Sequence, residues 1–196
     1  MGTGILMLAY LKPWRWYSRL NLQHIVPALL IGILVFVAWV GLETTWIGEK
    51  IPSVQSAYLR FGLDIFHFGQ MPPAIECTPY APSVCGWHLA LIRLLGSAFV
   101  IATIEEFFWR GFLYRMFIDQ SFLKVDIGRF VLIPFILVCL FFGLEHTRWI
   151  AGIFAGVAYG YLIIRTRDIW AGIIAHITTN FLLGIYVLMT GSYQFW

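Results

Sequence analysis

Apolar residues dominate the chain in long runs separated by short polar stretches, and the lengths of those runs set the first expectation. A bilayer core takes about 20 helical residues to cross. The run at 24–42 fits that length before Glu43, Glu49 and Lys50 return the chain to water. Further apolar runs cover 87–117, 130–145, 149–164 and 169–189, joined by connections too short to hold another domain. The pattern predicts an all-α, polytopic transmembrane helix bundle of about five spans, with residues 1–196 in a single integral membrane domain. The run at 87–117 is longer than a bilayer requires, so its last turns are expected to tilt or to project beyond the hydrocarbon.

The one long polar stretch, 44–87, contains Pro52, Pro72, Pro73, Pro79 and Pro82. It reads as a loop carrying an amphipathic helix at 53–68 that lies on the membrane surface. Residues 2–11 are apolar but too short to cross alone, and they read as an interfacial segment or as the remainder of a span. In the fourth run Gly152, Gly156 and Gly160 recur every four residues. That spacing strips one helical face of side chains and lets a neighbouring backbone approach, which is packing rather than chemistry.

Composition sharpens this picture. With 60% hydrophobic and 12% charged residues among 196, the chain carries more apolar surface than one soluble core of this size can bury. The net charge of +3 matters less than its distribution, and no basic patch of the nucleic-acid-binding kind is present. Lys12, Arg15 and Arg19 precede the first span, Arg115, Lys124 and Arg129 the third, and Arg165 and Arg167 the fifth. All fall on one side, which the positive-inside rule makes cytoplasmic. The N-terminus is then expected inside, and the 44–87 loop and the C-terminus outside. Cys77 and Cys85 flank a short Pro-containing loop where a disulfide is geometrically allowed, conditional on a non-cytoplasmic location.

Ionisable groups inside membrane helices cost on the order of 2.5–3.5 kcal/mol each at the centre, so they are rarely kept without a task. Glu105 and Glu106 are adjacent, and Glu106 lies four residues before Arg110. Those two share a face with the acid leading, the favourable order for an internal ion pair. Glu105 then points about 100° away from that pair and is the carboxylate left to face a cavity. On the last helix His176 and Asn180 are stacked one turn apart, with Gly172 one turn earlier leaving space beside them. An imidazole over a carboxamide offers two donors aimed in one direction, as a developing oxyanion requires. His146, at the end of the third run, either joins Glu105 in activating a water or is simply interfacial beside Glu145 and Arg148. His24, His67 and His88 lie at span ends or in the loop, and a structural role is expected for them.

These residues spell three motifs in order: EExxxR at Glu105, Glu106 and Arg110, FxxxH at Phe142 and His146, and HxxxN at His176 and Asn180. In them the chain resembles the CPBP (CAAX protease and bacteriocin-processing) family of intramembrane proteases over roughly residues 98–196. Within that family it is most similar to the CAAX-prenyl-protease-related proteins that accompany bacterial exosortase systems, by the stretch 105–113 and the closing 190–196. The resemblance implies an intramembrane endopeptidase of the type II CAAX kind in a bacterial inner membrane, acting on a membrane protein or lipid-modified peptide. It implies that Glu105 and His146 activate water, that His176 and Asn180 form the oxyanion site, and that Glu106 with Arg110 supports the first glutamate. No cofactor is expected. The alternative is zinc held by Glu105, His146 and His176, although Asn180 makes better sense as an oxyanion donor and HExxH is absent. Two other readings are a non-catalytic peptide-binding chaperone or immunity-type protein, and a transporter with Glu105 as proton relay. Four retained polar groups argue against the first, and the short chain without a detectable repeat argues against the second.

Overall fold

A computed structural model describes residues 2–73 and 78–196. Among the described residues the regular structure is helical throughout, with no strand. Eight helices organise the described residues: α1 (Gly2–Leu11), α2 (Leu22–Gly41), α3 (Thr45–Lys50), α4 (Pro52–Phe61), α5 (Pro82–Ile118), α6 (Leu132–Leu144), α7 (Trp149–Thr166) and α8 (Ile169–Thr190). Helices α2, α5, α7 and α8, with 20, 37, 18 and 22 residues, are long and apolar enough to span a bilayer. The protein is a multi-pass membrane helix bundle.

The fifth expected span, α6, has 13 residues, about 20 Å against a hydrocarbon thickness of about 30 Å. Its start is delayed because the chain before it is held extended. The Tyr114 hydroxyl donates to Arg129 O at 2.7 Å and accepts from Val131 N at 3.0 Å, and Val131 has β-region dihedrals. The surface helix is also shorter than its pattern implies. It stops at Phe61, because Asp64 N is drawn away to Thr147 O at 2.7 Å, leaving only a single further turn at Ile65–His67. Within α5 a short first turn opens at Pro82, where proline loses no hydrogen bond, and Gly86, with φ 78° and ψ 158°, kinks it away from the continuous helix that begins at Trp87, as the pattern implies. The suggested Cys77–Cys85 bridge rests on Cys77, which lies outside the described residues.

Packing follows the small residues. A Cβ at Gly152 would lie 2.9 Å from Gly143 Cα and one at Gly156 would lie 3.2 Å from Cys139 Cα, so the expected glycine face of α7 is pressed against α6. On the other side of the core, a Cβ at Gly32 would meet Ala175 O at 2.5 Å, and Thr179 Oγ1 donates to Gly32 O at 2.9 Å. These approaches join α2 to α8. Phe142, Tyr159 and Trp109 fill the space between, while Leu30, Ile133 and Tyr161 turn outward as the apolar surface that lipid covers. Helix α1 lies against this bundle, with Leu8 packed on the cluster around Phe107, Ile163 and Ile173.

Each end of the bundle is tied by polar contacts. At one end Asp168, 3% exposed, caps α8 through Trp170 N and also accepts from Asn21 N, with His24 Nδ1 at 3.0 Å. Tyr17 meets Arg115 there, and Arg167 pairs with Asp126 at 3.5 Å, so the three expected basic clusters do share an end. At the other end Arg148 forks onto both oxygens of Glu43, at 2.5 and 2.8 Å, and donates to Gln194 O. Tyr58 is buried near this pair. Its hydroxyl is pushed well above the ordinary tyrosine pKa, first by burial and then by the Glu43 carboxylate, against a lowering by Arg148.

Candidate active site

Helix α5 supplies the two glutamates, and its backbone departs from α geometry on both sides of them. Residues Gly96–Ile101 and Phe107–Leu113 are π-helical, bracketing a short α segment at Ala102–Glu106. Ala102 N reaches five residues back to Ser97 O, and Tyr114 N five back to Trp109 O. Wide turns of this kind gather at functional sites because they open the hydrogen-bond ladder to outside partners. Here the partner is Asn180, whose Nδ2 donates to the same Ser97 O at 3.1 Å.

Glu106 is fully buried and Arg110 is 3% exposed. They pair at 2.8 Å, as the four-residue spacing predicts. The pair's direct contact is with His176 rather than with Glu105. The Glu106 oxygen that holds Arg110 also faces His176 Nδ1 at 2.9 Å, so the pair supports His176. Arg110 is fixed in turn by Gly156 O at 3.1 Å, a carbonyl within reach because no side chain shields it. A carboxylate can only accept, so Nδ1 of His176 carries a hydrogen and Nε2 is the nitrogen left open. That Nε2 lies 3.7 Å from Glu105 Oε2. The imidazole is clamped flat on the Tyr159 ring, with centroids 4.9 Å apart, and Tyr159 is itself pinned by its hydroxyl to Thr179 Oγ1 at 2.6 Å.

His146 is not at the surface. Its Nδ1 donates to Phe142 O at 2.7 Å, which is what the FxxxH spacing supplies, and its ring packs against Phe142 and Trp39. The carbonyl fixes the tautomer, so Nε2 is the accepting nitrogen. Gly172 does not leave open space beside His176 and Asn180: Ile163 fills it.

Glu105, His146, His176 and Asn180 line one cavity of about 210 Å³. Glu105 Oε2 is buried there and accepts no hydrogen bond, which leaves it able to take one from a water or substrate. Among the described residues no three His, Cys, Asp or Glu side chains converge as a metal site requires, so the donors as placed do not fit the zinc alternative. Sequence reasoning missed Tyr159 and Arg93. Tyr159 is an ordinary aromatic in an apolar helix. Arg93, which also lines the cavity, was open to the same argument that found Glu105, since it is a charge within a span.

Residues 87–182 match the family model described as type II CAAX prenyl endopeptidase Rce1-like, an interval that contains all seven motif residues. No curated protein and no solved structure matches the chain.

Proposed function

We propose, from the match of residues 87–182 to the Rce1-like type II CAAX prenyl endopeptidases, that the protein hydrolyses a peptide bond of a membrane-associated or lipid-modified protein by a metal-free glutamate mechanism. The family supports an intramembrane protease in general. The observation that carries the finer reading is the convergence of Glu105, His146, His176 and Asn180, from α5, α8 and the end of α6, on one cavity.

The chemistry follows from what each group can donate or accept. Glu105 takes a proton from a water that His146 Nε2 orients, and the hydroxyl oxygen bonds to the substrate carbonyl carbon. The carbonyl oxygen becomes negative and is held by the second amide hydrogen of Asn180, whose other hydrogen is spent on Ser97 O, and by His176, which acts here as an imidazolium carrying a hydrogen on Nε2 as well as on Nδ1. When the C–N bond breaks, the proton held by Glu105 passes to the leaving amine. Glu106 and Arg110 touch none of these atoms and act by holding His176.

The same reading places the protein in a bacterial inner membrane, with the basic end cytoplasmic and the Glu43–Arg148 end outside. The resemblance of residues 105–113 and 190–196 to CAAX-prenyl-protease-related proteins that accompany exosortase systems favours a substrate from an export or sorting system. The test is cleavage of candidate membrane substrates by purified wild type and by Glu105→Gln, each with and without a strong zinc chelator. Cutting that survives the chelator and is lost in Glu105→Gln is expected. Chelator-sensitive cutting would transfer the residues to a metal, and equal activity in both proteins would overturn the assignment.

A further inference from the structure

The cavity extends well past the four groups of the proposed mechanism. Along α5 it is lined by Arg93, Ser97, Ile101 and Glu105, a strip roughly 18 Å long at the helical rise. A cation therefore stands at one end of the cavity and the candidate catalytic carboxylate at the other.

Arg93 differs from every other arginine buried or half-buried in the bundle. Arg110 is neutralised by Glu106 and Arg148 by Glu43. Arg115 spends its guanidinium on the carbonyls of Val125, Gly111 and Leu123. Arg93 has no carboxylate and no carbonyl among the described residues, and its Nε is buried without a hydrogen-bond partner. What it has are ring faces: Cζ lies 4.1 Å from the centre of the Tyr80 ring and 5.4 Å from that of Trp196. Aromatic faces position a guanidinium and accept part of its charge, but they leave its in-plane N–H fork unsatisfied. A half-buried charge with its donors unspent is costly unless an acceptor arrives, and the fork matches a carboxylate in two parallel hydrogen bonds.

We propose that Arg93 is the anchor of a substrate subsite that takes a carboxylate of the peptide. It rests on the protease reading of the cavity. An extended chain advances about 3.3 Å per residue, so the anchored carboxylate belongs roughly four to six residues from the bond presented to Glu105. The carboxylate comes from the substrate's own chain end or from an Asp or Glu side chain at that distance. Arg93 is a positioning and specificity residue: it acts on where the peptide sits and leaves the bond-breaking groups untouched.

The experiment separates this subsite from cleavage by measuring binding on Glu105→Gln protein in detergent. Three fluorescent apolar peptides of Leu, Val, Ile and Ala are compared: one with a free C-terminal carboxylate, the same peptide ending in a carboxamide, and the amide carrying one internal Asp. One or both carboxylate forms are expected to bind roughly tenfold to a hundredfold tighter than the plain amide, and which of them does so identifies the source. Adding Arg93→Gln should erase the preference while leaving amide binding in place, and Arg93→Lys, which keeps the charge without the fork, should retain part of it. Equal binding of all three peptides overturns the proposal, as does a preference that survives Arg93→Gln. Equal loss of all three peptides in both Arg93 variants makes Arg93 structural and overturns it too. Loss of the preference on adding phosphatidylglycerol micelles would assign the fork to a lipid phosphate instead. Because binding is the readout, a wild type that cuts nothing sinks the protease reading while leaving the carboxylate preference measurable.

Discussion

Two buried ion pairs hold this bundle, and they differ in almost every respect except the chemistry of the pairing. Glu106 and Arg110 are one helical turn apart, sit in the middle of the long helix and are sealed from solvent on all sides. Glu43 and Arg148 are separated by most of the chain and meet at the end of the bundle, joining the end of α2 to the turn between α6 and α7. The inner pair has a third member, His176, which faces the candidate catalytic carboxylate. The outer pair has Gln194 O as its third member and closes an end. A buried ion pair is weak evidence for stability as such, because desolvation offsets the attraction. What each pair does is set by the third group it orients.

Breaking the inner pair should have the largest effect. Glu106→Gln leaves Arg110 buried without its counter-charge and His176 without its carboxylate, which costs about 3–5 kcal/mol. Thermal unfolding in detergent should show that loss, and the protein still folded should cleave poorly. Retained cleavage per folded molecule would mean that His176 keeps its orientation without Glu106. Breaking the outer pair with Glu43→Gln should cost less, about 1–3 kcal/mol, since water reaches that end and relieves part of the penalty. Turnover per folded molecule should be unchanged; a proportional fall would show that the outer pair shapes the cavity after all.

The smallest expected effect sharpens the inner pair alone. In Gly156→Ala the new methyl meets the α6 backbone at Cys139 at 3.2 Å, a mild overpacking at the low end of such costs, about 1 kcal/mol. Pushing α6 and α7 apart also draws Gly156 O away from Arg110. Stability should therefore fall modestly while activity falls more than stability accounts for. An alanine variant with wild-type turnover would separate the glycine face from the site.

The same two pairs mark what was legible in the sequence. Glu106 and Arg110 could be paired from spacing alone, because one helix fixes the geometry between them. Glu43 with Arg148, and Glu106 with His176, could not, since tertiary packing sets which distant residues meet. The spans were legible for a related reason: lipid demands a continuous apolar run whatever the neighbours do. The short α6 was not, because its start depends on the Tyr114 hydroxyl holding residues 129–131 extended. Counting the rise along each helix puts His176 about 10 Å past the start of α8 and His146 about 21 Å past the start of α6, yet both line one cavity. Helix starts at unequal depths reconcile them, and depth is not written in a local pattern. Glu105 was found because charge in lipid is conspicuous. The groups that hold His176 and Arg110, a tyrosine ring and a glycine carbonyl, carry no such signal.

The wide turn at Gly96–Ile101 has an angular consequence. In a regular α-helix each residue advances about 100°, so twelve residues overshoot three full turns by about 120°, and Arg93 and Glu105 would look out from different sides of α5. A π turn absorbs about one extra residue and so removes about 100° of that overshoot, bringing the two within roughly 20° of a common meridian. Deleting a single residue inside this turn should let the helix relax to α geometry and keep Arg93 in phase with Glu105, since eleven residues overshoot three turns by about the same 20°, with the apolar length of the span almost unchanged.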